Sequence, residues 1–350
     1  MPIDDGNPER KRRPRYPGKN PRRFHEKYKE LNPERYEEDV RKIVDSGKTP
    51  AGMHRAIMVG EVLQVLAPKP GDIAVDCTLG FGGHARAILE RIEPGGRLIG
   101  LDVDPIELPR TSERLRAAGF GDDRFRAHRS NFAGLPQVLV NEGLTGADVI
   151  LADLGVSSMQ LDNPDRGFTY KDAGPLDMRM NPRRGEPASD LLAHIGEDKL
   201  AHMLAEYADE PDARIIACAL TAVAVRTTTD LSRRVREAVR SERPKASDAD
   251  VEKAIRRTFQ ALRIAVNDEF SALDAFLRAL PQCLATGGRV AVLSFHSGED
   301  RRVKKSFDAG YADGLYAAIA DEVARPSAEE MRANPRAASA KLRWAVRIKN

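Results

Sequence analysis

The chain has 350 residues, 41% of them hydrophobic, and a formal net charge of +3. That length allows one large domain or two, no run approaches the ~18 apolar residues of a membrane span, and the polar first 30 residues hold no secretory apolar segment. Three widely separated cysteines without a Cys-x-x-Cys, and seven scattered histidines, suit a reducing cytoplasm and argue against a disulfide scaffold or a metal centre.

The charge is unevenly placed. Residues 1–29 hold ten Lys/Arg against four acids, a net of +6, which leaves −3 for the rest. The run Arg10-Lys-Arg-Arg-Pro-Arg-Tyr16 has no helical or strand period. Residues 1–50 therefore read as a basic, disordered extension. Such arms add sequence-independent affinity for phosphates, or only solubilise.

From Met53 to Leu66 apolar residues recur at helical steps, and the helix must end before Pro68. Strands and helices then alternate. A strand over 72–77 leads into the glycine loop Asp76-Cys-Thr-Leu-Gly-Phe-Gly-Gly-His84, followed by a helix over 83–92. A strand over 97–103 ends near Asp102; Asp104-Pro105 opens a helix to about 118. A strand over 124–130, a helix near 132–142 and a buried strand over 147–153 complete the run. This alternation predicts an α/β fold with a mostly parallel sheet covered on both faces.

The pattern breaks after Asp153. Residues 154–187 are rich in Gly, Pro, Asp, Arg and Met, and 189–257 read as helices without strands. Alternation resumes with a helix from Phe259 to about 284, a strand over 287–295 and a final strand over 342–348. The expected organisation is a sheet domain over 51–160 and 258–350, interrupted by a helical insert over 161–257.

In open α/β sheets ligands sit at the carboxyl ends of the strands. Four polar or glycine-bearing motifs fall there: the loop at 76–84, Asp102, Asp153-Leu-Gly-Val-Ser-Ser158 and Ser294-Phe-His-Ser297. Phe132, just past the third strand, is placed to cover a flat ring. Loop glycines let backbone N–H groups approach a ligand, and the helix N-terminus adds a positive dipole end. Gly80, Gly82 and Ala85 fit the dinucleotide fingerprint, with Asp102 at the ribose position. S-adenosylmethionine enzymes use the same places, and Asp76 suits them better. The loop alone leaves both cofactors open.

Longer motifs add to this. In order stand Asp76 to His84, Asp153-Leu-Gly-Val-Ser-Ser-Met-Gln-Leu-Asp162, Arg166-Gly-Phe168, Gly174-Pro-Leu-Asp-Met-Arg-Met180, Arg257-Thr-Phe-Gln-Ala-Leu-Arg-Ile-Ala-Val-Asn267, Ser294-Phe-His-Ser297, Asn334-Pro-Arg336 and Ser339-Ala-Lys-Leu-Arg343. In these the chain resembles the bacterial 16S ribosomal RNA (cytosine-N4)-methyltransferase family, RsmH or MraW, over about residues 52–348. The resemblance implies a class I S-adenosylmethionine-dependent methyltransferase fold, Rossmann-like, with an inserted all-helical subdomain. It implies S-adenosylmethionine as cofactor and, as partner, 16S rRNA of the small ribosomal subunit, methylated on a cytidine at position 1402 in the decoding centre. By the same resemblance Gly82, Gly83 and His84 contact the cofactor, Asp102 holds its ribose, Phe132 flanks adenine, and Asp153 and Gln160 complete the pocket.

Asp153 and His296 are the candidate catalytic residues, as acceptor for the target amine and as base or RNA contact. Arg166, Arg179, Arg257 and Arg263 are candidate RNA contacts. No metal is expected. Other readings are a methyltransferase of this fold with another RNA or a protein target, or a non-catalytic ribosome assembly factor. The chain departs from the family at Tyr207-Ala-Asp-Glu-Pro211, and at Gly298, where a leucine is usual.

Overall fold

The computed structural model describes residues 56–349. The basic extension over 1–50 and the start of the helix expected from Met53 lie outside them. The first described helix is α1, Val59–Leu66, and it starts after Met58, whose backbone is left-handed at φ 55°.

Seven strands form one sheet in the order β3-β2-β1-β4-β5-β7-β6. They are β1 (Ile73–Asp76), β2 (Arg97–Asp102), β3 (Phe125–Arg129), β4 (Ala147–Asp153), β5 (Leu284–Ser294), β6 (Tyr316–Ile319) and β7 (Lys341–Arg347). The first five are parallel, whereas β7 runs antiparallel between β5 and β6. The crossover helices are α2 (Gly83–Ile92), α3 (Glu107–Ala117) and α4 (Leu135–Asn141). The chain moves outward from β1 to β3, then returns to the other side of β1 with β4. That reversal opens a crevice where β1 and β4 end, the usual ligand site of such sheets. Asp76 pairs in register with Leu151, two residues before Asp153, so the two acids end neighbouring strands.

Period-two alternation sends side chains to opposite faces, and both faces are covered. Val75, Ile99, Ile150 and Val292 pack under α4 and under α11 (Glu269–Cys283). Ala74, Leu98, Leu151 and Leu293 pack under α1 to α3. The buried members of a third apolar core fall within residues 168–262. Its helices are α7 (Glu197–Ala208), α8 (Ala213–Thr221), α9 (Thr228–Glu242) and α10 (Asp248–Asn267), each packed on the next, with α10 closing on α7. Before them stand two short helices, α5 (Ser158–Asp162) and α6 (Ala188–His194).

Three details differ from the sequence expectation. The helix expected from Phe259 to about 284 is two helices, broken where Asp268 turns left-handed at φ 50°. α10 itself runs unbroken through residue 257, where the insert was expected to end. The short edge strand β6 was not anticipated; its Tyr-Ala-Ala-Ile has too few residues for a period. It follows α12 (Ser297–Ala312), and α13 (Ala328–Ala333) precedes β7. Among the described residues no helix is long and apolar enough to cross a membrane, and no group of three potential metal ligands occurs.

Candidate functional site

The glycine loop is pinned by the strands around it. The Leu79 N–H donates to the Leu101 carbonyl at 2.8 Å, and the Gly80 N–H to Asp102 Oδ2 at 2.8 Å. Gly80 and Gly82 have φ +47° and +85°, and a Cβ on Gly82 would stand 2.9 Å from the Thr111 methyl. Only glycine meets both demands. α2 therefore starts without a side-chain cap, leaving its first-turn N–H groups to face the crevice.

Asp102 receives a second main-chain bond, from Asp104 N–H at 2.8 Å, on its other oxygen. Burial still raises its carboxyl to about 6, against the pull of these two N–H groups. Phe132 sits half-buried in a short 3₁₀ turn capped by Asn131, edge-on to Phe276 at 5.5 Å. Gln160 is fully engaged: its Oε1 accepts from Ser157 N–H at 3.0 Å in a capping box, and its Nε2 donates to Asp104 Oδ2 at 2.9 Å. It borders the pocket through Asp104.

Asp153 brings an unsatisfied oxygen to the crevice. Its N–H donates to Thr78 Oγ1 at 2.6 Å, fixing the strand end. Oδ2 lies 3.6 Å from His84 Nδ1, while Oδ1 is buried without a partner among the described residues. Burial, then the Glu299 charge, push this carboxyl up to about 7; the 27% of the side chain open to the cleft lets solvent temper that. Asp76 is raised to about 6 by burial, opposed by His84 and the Thr78 N–H. His84 is buried and turned into the protein, where Nε2 meets the Ile57 carbonyl at 2.9 Å.

These raised carboxyls have a consequence for stability. Their folded-state pKa values exceed an unfolded carboxyl's ~4. Between about pH 4 and 8 the unfolded chain has lost protons that the folded state still holds, so stability falls as pH rises. Asp153→Asn removes one of them. The melting temperature of that variant, relative to wild type, is expected to climb across this interval; a difference flat with pH would count against a buried, protonatable Asp153.

His296 is the N-cap of α12. Its Nδ1 accepts from Glu299 N–H at 3.4 Å, and its Nε2 lies 3.1 Å from Glu299 Oε1 without the alignment of a hydrogen bond. Both ring nitrogens thus face the first turn of their own helix. Glu299 also accepts from Phe295 N–H at 2.8 Å. Burial raises its carboxyl, but His296, Arg263 and that N–H together hold it below the usual range. Arg263 grips Glu269 with two bonds of 2.8 Å and reaches Glu299 at 3.9 Å, on the floor of the site beside Gly155.

The remaining arginines divide. Arg166 points inward: Nη1 pairs with Asp104 at 3.0 Å and Nη2 donates to the carbonyls of Arg179 and Met180. Arg179 is held by both oxygens of Asp177 and keeps 20% of its side chain exposed. Arg257 is half-buried and faces the charges of Asp209 and Glu210. Asp104, Glu299 and Asn267 were not singled out from the sequence. Asn267 clamps the loop before α6, bonding Met178 O at 2.8 Å and Met180 N–H at 2.7 Å. An acid two residues past a strand end was the one available signal, for Asp104.

The two sequence departures meet each other. Asp209 accepts from Ser297 at 2.6 Å and Arg301 at 2.9 Å, joining α7 to α12. Phe270 meets Tyr207 edge-on and lies under the Arg302 guanidinium, and a Cβ on Gly298 would lie 2.6 Å from its ring. Gly298→Leu is therefore expected to destabilise by about 1–3 kcal/mol through overpacking. A melting temperature equal to wild type would show that the ring moves aside freely.

The arrangement suits a cationic nucleoside ligand. Glycine N–H groups offer close main-chain contact, Asp102 offers a carboxylate to a pair of hydroxyls, Phe132 an apolar ring face, and Asp76 with Asp153 negative charge for a cation. The family model of the MraW methylase family matches residues 51–348. "Ribosomal RNA small subunit methyltransferase H 2" of Alkaliphilus metalliredigens is 47% identical over 99% of this chain and 100% of its own length. "Ribosomal RNA small subunit methyltransferase H 1" of Agathobacter rectalis is 48% identical over 96% of this chain and 97% of its own. The sheet order, with a lone antiparallel strand inserted beside β5, is that of class I S-adenosylmethionine-dependent methyltransferases. On the full-length match and these identities, the chain belongs to the MraW methylase family.

Proposed function

We propose that this methyltransferase moves a methyl group from S-adenosylmethionine to the exocyclic N4 of a cytidine in 16S rRNA, at position 1402 in the decoding centre of the small subunit. The relatives' names support ribosomal RNA of the small subunit as substrate. A cytoplasmic location goes with that substrate and with three free cysteines.

The observation that carries the reading is Asp153 Oδ1, buried and without a partner among the described residues at the β1/β4 crevice. Cytosine N4 is a poor nucleophile because its lone pair is delocalised into the ring. A carboxylate that accepts one N4–H bond holds the nitrogen in place and returns electron density to it. S-adenosylmethionine, which the glycine loop and Asp102 would hold, would supply the activated methyl. The residues do the rest: Asp102 and the first-turn N–H groups of α2 fix the nucleoside, Phe132 flanks its base, and Asp153 orients the amine. Orientation of this kind contributes up to ~7–11 kcal/mol. The target base must leave its stack to reach the crevice, at a few kcal/mol. We assign the grip on flanking RNA to the helical insert over 161–257, where Arg257 is half-buried beside Asp209 and Glu210 and Arg166 and Arg179 are paired with Asp104 and Asp177.

The test is transfer of labelled methyl from S-adenosylmethionine to small subunits lacking the modification, with mass spectrometry of the nucleosides. N4-methylcytidine at the decoding-centre position is expected. Label in another nucleoside, or none on any ribosomal particle, would overturn the substrate.

A further inference from the structure

His84 has a geometry that cofactor binding alone does not require. Its first-turn N–H is available to a ligand, but its ring turns away and is 5% exposed. A carbonyl only accepts, so the Ile57 contact at 2.9 Å fixes the ring proton on Nε2. The segment that supplies this carbonyl is itself anchored: Met58, left-handed at φ 55°, donates its N–H to Glu330 Oε1 at 2.8 Å. In the neutral ring Nδ1 is then a bare lone pair, and it faces Asp153 Oδ2 at 3.6 Å. Two acceptors in that position require one proton between them.

We propose that His84 is a positioning residue for methyl transfer: it shares a proton with Asp153 Oδ2, which keeps Oδ1 aimed at the substrate amine and lets the pair take up the proton the amine loses. The inference rests on the reading of Asp153 as the amine's partner. The bonds balance as follows. The N4 lone pair forms the new N–CH3 bond, and the pair of the broken S–CH3 bond remains with the donor. The N4–H electrons return to nitrogen as the proton passes to Asp153, and from there to water. The 3.6 Å separation is longer than a hydrogen bond, and such catalytic contacts commonly tighten when substrate binds.

The surrounding charges favour a shared proton. Asp76 on β1 and Glu330 on α13 support a charged ring, against burial, which lowers the His84 pKa. Glu299 on α12 opposes ionisation of Asp153, while Arg263 on α10 offsets Glu299 from its far side. Asp102 on β2 faces Asp76 in the same direction. The Asp153 charge also raises the Asp76 carboxyl, so these two acids disfavour one another's ionisation.

The experiment combines two variants and two readouts on the full chain. His84→Gln retains an amide at the Nε2 position for Ile57 and lacks Nδ1; Asp153→Asn retains the ring and removes the acid. With 15N-imidazole-labelled histidine, the signals missing from H84Q belong to His84. The expected spectrum has the proton on Nε2, and D153N displaces the Nδ1 signal and its titration. In single-turnover transfer, H84Q is expected to be slower by about 10²-fold near neutral pH, with an altered pH profile. Its S-adenosylmethionine affinity, by calorimetry, is expected to stay within about tenfold of wild type. An Nδ1 signal indifferent to D153N overturns the proposal. So does H84Q turning over at the wild-type rate and pH profile once saturated with cofactor. A wild-type protein that shows the coupled spectrum but methylates no ribosomal particle would defeat the substrate reading and leave the pair standing.

Discussion

Asp153→Asn is expected to lower single-turnover methyl transfer by about 10²–10⁴-fold, with the fold intact and cofactor still bound. The change is isosteric, and the strand end stays fixed because the Asp153 N–H to Thr78 bond belongs to the main chain. What disappears is a carboxylate whose Oδ1 has no competing partner among the described residues. Asparagine still offers one carbonyl oxygen, but its amide nitrogen donates and cannot take a proton from the amine. Loss of the acid also relieves the repulsion between Asp153 and Glu299, so lower activity should accompany unchanged or higher stability at neutral pH. That combination separates a functional carboxylate from a structural one. Transfer within a few-fold of wild type at saturating cofactor would remove Asp153 from the chemistry. A slow rate restored by more cofactor would move its role to binding.

The sheet and the crevice were legible in the sequence for a specific reason. Buried parallel strands read as apolar runs, and each ended on a polar or glycine residue at the face where ligands bind. Asp76, Gly82, Asp102 and Asp153 could be found that way because strand, loop and helix are contiguous in the chain. The relations between them were not legible. His84 read as a ligand contact, and only the fold brings Ile57 against one ring nitrogen and Asp153 near the other. His296 read as a base or RNA contact, and only the fold shows that it also caps the start of α12. The partners of the arginines were hidden for the same reason: a sequence shows charge but not the carboxylate that pairs with it. Arg263 finds Glu269 six residues on, across a break at Asp268 that no glycine or proline announces. Arg166 finds Asp104, sixty-two positions earlier.

The last pair is expected to give a large stability effect. The Asp104 side chain is 2% exposed and accepts from Arg166, Gln160 and the Ile106 N–H. Burial raises its carboxyl, but Arg166 and these bonds outweigh that and hold it below the usual range. Arg166, 12% exposed, also ties the main chain at 179–180 to this point. Arg166→Ala leaves a buried carboxylate uncompensated, for which about 3–5 kcal/mol of destabilisation is expected. That is a large share of the ~5–15 kcal/mol that holds a domain together, and it corresponds to a melting shift on the order of 10 °C. Adding Asp104→Asn to Arg166→Ala should recover part of the loss, since the stranded charge is gone, and a double-mutant cycle would report the coupling. Cofactor affinity should fall with Arg166→Ala as well, because Asp104 sits two residues from Asp102 and donates its N–H to that carboxylate. If Arg166→Ala melts like wild type and instead loses affinity for ribosomal particles, the guanidinium faces RNA in the working enzyme and the inward pair does not persist there.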